Sequence, residues 1–160
     1  MKQIIDIIQG TELSLEIIGT VHDREYYKEI KQIEENSPQI NVNTSIPRSE
    51  LRAILAESKI GISHCKSEGF GIHVVECMKA GAVPVAYNGG GPVEILGEEP
   101  YLYDDLAEAR ENIGTILSDF EEHSERMLEK STEYGKDRFA EQIRRKVTES
   151  LSQYPGIFSN

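Results

Sequence analysis

The chain has 160 residues, 38% of them hydrophobic, and carries 17 Lys plus Arg against 28 Asp plus Glu, a net charge of −11. That length suits one domain burying roughly 70% of the surface its unfolded chain exposes, enough for a core without metal or disulfide staples. The negative charge argues against a nucleic-acid backbone or an anionic lipid surface as the main partner, since neither would be attracted.

In chain order, short apolar runs alternate with longer amphipathic stretches, the mark of an α/β protein with a parallel sheet. Leu13 to Gly19 reads as a strand. Asp23 to Asn36 reads as a helix, with Asp23 placed to cap it and Tyr26, Tyr27, Ile30 and Ile33 on one face. Ile40 to Ile46 is a second, more polar strand, and Pro47 opens a helix in which Leu51, Ile54 and Leu55 recur at three and four residues. Lys59 to Ser63 looks like a central strand, followed by a loop from His64 to Glu68. A helix is expected from Phe70 to Ala80, stopped by Gly81, and then a strand from Val83 to Tyr87. Asn88-Gly89-Gly90-Gly91-Pro92 is a glycine turn into a short helix, Pro92 to Leu96, and Tyr101 to Tyr103 a last edge strand. Three helical tail segments follow, over 104–118, 120–134 and 136–151, expected to pack across the sheet or against a neighbour. The acidity concentrates there, at Glu121, Glu122, Glu125 and Glu129.

The rest of the sequence is bland. No window approaches the roughly 20 apolar residues of a membrane span and no signal pattern opens the chain, so a cytoplasmic protein without direct membrane insertion is expected. Cys65 and Cys77 match no zinc or redox spacing and are expected to be buried thiols.

Chemistry is concentrated in Ser67-Glu68-Gly69-Phe70-Gly71-Ile72-His73-Val74-Val75-Glu76. A loop at the carboxyl end of a strand delivers a carboxylate, then two glycines around an aromatic residue, then a helix start. Glycines let backbone N–H groups approach an anion, and a helix N-terminus offers unpaired N–H groups and a positive dipole end. In open α/β sheets ligands lie beyond the carboxyl ends of the strands. The combination suits a phosphorylated sugar. Glu76, under about 8 Å into the helix at 1.5 Å per residue, could accept the two hydroxyls of a ribose. The competing reading is that Glu68 and Glu76 are solvated or cap the helix, although an unpaired carboxylate in the apolar run Val74-Val75-Glu76-Cys77-Met78 would be costly. His64 and His73 read as structural, and Glu94 as a complement to its own helix dipole.

The run from Glu68 to Leu96, EGFGIHVVECMKAGAVPVAYNGGGPVEIL, resembles the carboxyl-terminal, donor-binding domain of family 4 glycosyltransferases, retaining enzymes of the GT-B fold. The acidic pair, the E-G-F-G turn, the E-x-M-x-x-G-x-P-V run and the later G-G-x-x-E-I occur in order, and the flanks LEIIG and IPRSELRAILAESKIGIS agree. The resemblance implies a Rossmann-like three-layer sandwich with a mostly parallel sheet and a helical tail. It implies a donor domain over residues 1–152, with 153–160 a flexible tail. Glu68 would be the catalytic carboxylate that contacts the donor sugar. Gly69, Phe70, Gly71 and Ile72 would contact sugar and pyrophosphate through their backbone, Glu76 would bind the ribose, and Gly90 and Gly91, with Glu94, would shape the wall beneath the sugar. The loop at Ile46 and Pro47 would lie near the base. Lys2 would correspond to the family's phosphate-neutralising lysine, whereas the arginine and strand that precede it in the family are absent here. The resemblance thus implies hexosyl transfer (mannosyl or glucosyl) from a nucleotide-diphospho-sugar, with no metal and no other cofactor. The acceptor would be held by a domain or subunit missing from this sequence. A non-catalytic nucleotide-sugar module, a subunit of a split glycosyltransferase and a ligand-free flavodoxin-like domain remain alternatives. An open sheet edge where the first strand is absent would invite pairing with another chain.

Overall fold

The structure is a computed structural model that describes residues 2–97 and 100–152. It opens with an element the periodicity did not announce, the helix α1 (Lys2–Ile8). Its isoleucines face two ways: Ile5 and Ile8 pack with Ile17, Ile30 and Ile40, whereas Ile7 joins the larger core. The strand β1 (Leu15–Gly19) pairs in parallel with β2 (Ile40–Thr44), Ile17 opposite Val42. Between them runs α2 (Arg24–Glu35), capped by Asp23 Oδ1, which accepts from the N–H groups of Glu25 and Tyr26 at 2.9 and 3.0 Å. β2 stops at Thr44 rather than Ile46 because Ser45 turns to φ +55°. Pro47 is the N-cap of α3 (Arg48–Glu57).

A separate three-stranded parallel sheet follows, in the order β3-β4-β5, built from β3 (Ile60–Ser63), β4 (Val83–Tyr87) and β5 (Leu102–Tyr103). Around it lie α4 (Ile72–Ala80), α5 (Gly91–Leu96), α6 (Leu106–Ser118) and α7 (Phe120–Ser131). β4 is the spine of the main core. Val83 and Val85 are fully buried beside Met78, Ile95, Leu96 and Tyr101, the continuous apolar pattern of a parallel strand covered on both faces. Pro84 is tolerated there because β5 begins only at Leu102, opposite Ala86, so no described strand waits for the N–H that proline lacks. Helices α1, α2 and α6 cover one face and α3, α4 and α7 the other, giving three layers.

Several expectations need correction. β3, read as a central strand, is the edge of its sheet, and no ladder joins it to β1. Helix α4 starts at Ile72, not Phe70, because Gly71 sits at φ +87° and caps rather than continues the helix. Cys77 is buried, its thiol pushed up to about 11 by desolvation, but Cys65 is exposed in the loop after β3. The last helix, α8 (Lys136–Ser152), has no buried residue, and Phe139, Ile143, Val147 and Leu151 are exposed along it. Among the described residues no helix is long and apolar enough to cross a membrane. The tail expected to be flexible, 153–160, lies outside the described residues.

Candidate functional site

The site is assembled from two loops that leave the carboxyl ends of β3 and β4. They are locked backbone to backbone: the N–H of Gly91 donates to the carbonyl of Glu68 at 2.8 Å. The fit allows no side chain. A Cβ on Gly90 would stand 2.2 Å from the Glu68 carbonyl oxygen, and one on Gly91 2.5 Å from that of Phe70. The glycine turn therefore holds the Glu68–Phe70 segment in place, a function sequence alone could not separate from a direct role at the sugar.

Within that turn Glu68 folds back on itself. Its Oε1 accepts from the N–H of Gly71 at 3.1 Å, and its Oε2 lies 4.0 Å from His73 Nδ1. The carboxylate thus closes the turn at the mouth of α4. The first helical acceptor, the carbonyl of Gly71, takes the N–H groups of Val74 and Val75, and among the described residues those of Ile72 and His73 have no backbone acceptor. Burial holds the His73 imidazole below the ordinary histidine value against the opposing pull of Glu68 and Glu76, and its Nε2 is buried with no hydrogen-bond partner.

One turn deeper, Glu76 pairs with the guanidinium of Arg48, the first residue of α3. This pair answers the cost of a carboxylate in an apolar helix without any ligand. It also brings the Ile46–Pro47 loop beside Glu76, because Arg48 directly follows it. Sequence reasoning missed Arg48. The available signal was a cation directly after a helix-opening proline on the strand-to-helix loop nearest the carboxylate.

The remaining candidates fall into place around this centre. Phe70 and Ile72 expose their side chains, Phe70 edge-on to Tyr134 with ring centres 6.5 Å apart, so what they offer a ligand is backbone. Gly69 lies on the open turn between Glu68 and Phe70, with nothing within 4 Å of a Cβ placed there. His64 is structural: its Nδ1 lies 3.0 Å from the Tyr103 hydroxyl, which donates onward to the Ser63 carbonyl at 2.8 Å. Desolvation and nearby Lys66 hold it below the ordinary histidine value, and desolvation raises the Tyr103 phenol far above its usual range. Glu94 is exposed in the first turn of α5. Lys2 is not drawn into this cluster; its Nζ pairs with Glu29 on α2 at 2.6 Å. Among the described residues no group of three or more His, Cys, Asp or Glu could hold a metal ion.

The chain is similar to known proteins over nearly all of this architecture. A family model described as glycosyl transferases group 1 matches residues 2–136. Among curated proteins it is 32% identical over 142 residues to the GDP-Man:Man(3)GlcNAc(2)-PP-Dol alpha-1,2-mannosyltransferase of Dictyostelium discoideum, covering 83% of this chain and 28% of that protein. It is likewise 32% identical over 141 residues to the Homo sapiens enzyme of that name, covering 81% and 29%. The chain thus spans under a third of the length of these relatives. Among solved structures it superimposes on the GtfA/B complex with a TM-score of 0.77 at 19% identity, over 93% of this chain and 33% of that one. Anabaena Alr3699/HepE in complex with UDP gives 0.73 at 20% identity, over 96% and 45%.

Proposed function

We propose, because this chain belongs to the group 1 glycosyl transferase family, that it is the donor-binding part of a retaining, family 4 glycosyltransferase and holds a nucleotide-diphospho-sugar at the mouth of α4. The observation that carries this reading is the interlocked pair of loops, in which Gly91 fixes Glu68 while the N–H groups of Ile72 and His73 stay unclaimed. The diphosphate takes those N–H groups and the positive end of the helix dipole. The sugar lies against Glu68 and the backbone of Gly69, Phe70 and Gly71, above the wall of Gly90 and Gly91. The ribose reaches Glu76, which exchanges its pair with Arg48 for the two hydroxyls.

In transfer, the bond from the sugar C1 to the β-phosphate oxygen breaks and the diphosphate leaves with the electron pair. The acceptor hydroxyl bonds to C1 on the same face, and its proton passes to the departing β-phosphate oxygen. The contribution of this chain is to stabilise charge growing on the leaving diphosphate with donors already in position. The phosphate role that resemblance gives Lys2 requires its pair with Glu29 to open. Hexosyl transfer is supported by relatives named as mannosyltransferases and by a neighbour solved with UDP-glucose. The acceptor is held by another domain or subunit, a reading supported by how small a part of its relatives the chain matches.

A thermal-shift titration with UDP, GDP, ADP and their sugar conjugates, run beside Glu76→Ala, tests this. At 100-fold over the dissociation constant a ligand adds about 2.7 kcal/mol, roughly 5–10 °C for a domain of this size. A shift with one nucleotide class that Glu76→Ala reduces by about half or more is expected. No shift with any nucleotide, in a folded protein, overturns the donor reading.

A further inference from the structure

The start of α4 is shaped to hold an anion, and in the free chain an anion of its own stands there. Gly71 is left-handed, at φ +87° and ψ +46°, and Ile72 begins the right-handed helix. That change of hand turns the N–H groups of Gly71, Ile72 and His73 toward one concave point, the backbone arrangement that cradles phosphates and carboxylates. Oε1 of Glu68 accepts from the first of these, the Gly71 N–H, at 3.1 Å. The carboxylate therefore occupies part of the ground proposed for the diphosphate. Like charges repel most strongly where water is excluded, so the two anions compete for these donors. A diphosphate fills the cradle only as the Glu68 carboxylate leaves it.

The main chain of Glu68 cannot follow. Its carbonyl takes the Gly91 N–H at 2.8 Å, and the glycine turn packs so closely that a Cβ on Gly90 would stand 2.2 Å from that carbonyl oxygen. What can move is the side chain, by rotation between staggered positions. It is 29% exposed, and Gly69 beside it borders open space, with nothing within 4 Å of a Cβ placed there. A receiver stands next to it. His73 Nδ1 lies 4.0 Å from Glu68 Oε2, outside hydrogen-bond reach and one small rotation short of it. The other ring nitrogen, Nε2, is buried with no partner. An orphaned buried N–H is the rarer and costlier kind of orphan, so the ring carries its hydrogen on Nδ1, the nitrogen on the Glu68 side.

We propose that Glu68 has two working positions and that His73 is its positioning residue. In the free chain the carboxylate fills the cradle at Gly71; in the donor complex it turns to the sugar, with Oε2 held by the Nδ1–H of His73. This rests on the donor reading given above. The exchange leaves no donor stranded, for the Gly71 N–H passes from carboxylate to phosphate while the carboxylate passes from Gly71 to His73. No proton moves, because burial holds the imidazole below its ordinary value and it enters the exchange uncharged. The consequence is discrimination between loaded and spent donor. A nucleoside diphosphate must displace Glu68 and gains nothing from it, whereas a diphospho-sugar offsets that cost through the contact between Glu68 and the sugar. After transfer, the carboxylate returning to the cradle drives the diphosphate out.

The test is isothermal titration calorimetry of the whole chain with UDP, UDP-glucose, GDP and GDP-mannose, on variants that circular dichroism shows to be folded. Glu68→Ala should bind the free nucleoside diphosphate about three- to tenfold tighter than the parent chain, while the advantage of the sugar conjugate over the free nucleotide shrinks. His73→Leu, which also removes the orphaned nitrogen, should weaken the sugar conjugate about five- to tenfold. His73→Asn, whose amide N–H stands near the place of the ring Nδ1, should restore it to within about threefold. In a Glu68→Ala background His73→Leu should change affinity less than about twofold, because the group it positions is gone. A merely structural role for His73 would give the same loss in both backgrounds. Unchanged affinity of Glu68→Ala for the nucleoside diphosphate, or an equal loss from His73→Leu with and without Glu68, overturns the two-position proposal and leaves the donor reading standing. No binding of any of the four compounds to any variant overturns both.

Discussion

The carbonyl of Glu68 accepts the N–H of Gly91 at 2.8 Å, so the carboxylate-bearing loop after β3 and the glycine turn after β4 form one rigid unit. Each loop is also held locally, the first by Glu68 Oε1 on the Gly71 N–H at 3.1 Å and the second by the Asn88 N–H on the Tyr103 carbonyl at 2.8 Å, but the bond from Gly91 is what joins them. The chemistry proposed for the first loop therefore depends on the absence of side chains in the second.

Gly90→Ala tests that dependence. Its Cβ would meet the Glu68 carbonyl at 2.2 Å, at a backbone φ of +65°. Strain of this kind costs at least about 2 kcal/mol, so the melting midpoint should fall by roughly 4–8 °C. Gly114→Ala, in the exposed middle of α6 with nothing within 4 Å of the new Cβ, should instead raise it by a few degrees. Differential scanning calorimetry of the pair separates a site-specific clash from a general intolerance of glycine replacement.

Arg48 and Glu76 should separate in their effects on nucleotide binding. Glu76→Ala removes the acceptor of the ribose hydroxyls and should weaken binding about 10- to 100-fold, the worth of hydrogen bonds to a charged group. Arg48→Ala releases the carboxylate, and an ion pair whose Arg side chain is 70% exposed contributes little to stability. Its affinity should stay within about threefold of the parent chain. Isothermal titration calorimetry with the nucleotide found by thermal shift decides this, and an equal loss in both variants would show the pair acting as a unit.

Acidification should destabilise the fold through its histidines. His64 and His73 are both held below their ordinary value of 6.5, mainly by burial. The unfolded chain then binds more protons than the folded one in the window below 6.5, so stability falls as pH drops through it and is unaffected well above it. His73→Gln should flatten the lower part of the curve of melting midpoint against pH, leaving the contribution of His64 in place.

The two thiols should behave differently towards an aromatic disulfide reagent at pH 8. Cys65 is exposed on the loop leading to Glu68 and should react within seconds to minutes. Cys77 is buried with its thiol pushed up to about 11, so it should react only on unfolding. A bound nucleotide should slow Cys65, and Cys65→Ser should remove the fast phase altogether.

Much of this protein was legible in its residues. The strand and helix alternation, the Asp23 cap and the stop at Gly81 are local signals, and local energetics fix them. The acidic pair and the glycine turn announce their chemistry because a backbone that must approach an anion or another backbone leaves only glycine as a choice. Helix α1 was not legible, because a short stretch such as Lys2–Ile8 has no stable helical preference until Ile5 and Ile8 find Ile17 and Ile30. Nor was Arg48 legible as the partner of Glu76, since 28 residues of chain separate them and only the crossover of α3 brings them together. The same holds for β3. Its apolar alternation predicts a strand equally well at the centre or at the edge, because side-chain pattern reports which faces are covered and not which edges are paired. Whether its main chain has one neighbour or two is decided by how the two sheets stand apart, and that separation is a property of the packed molecule alone.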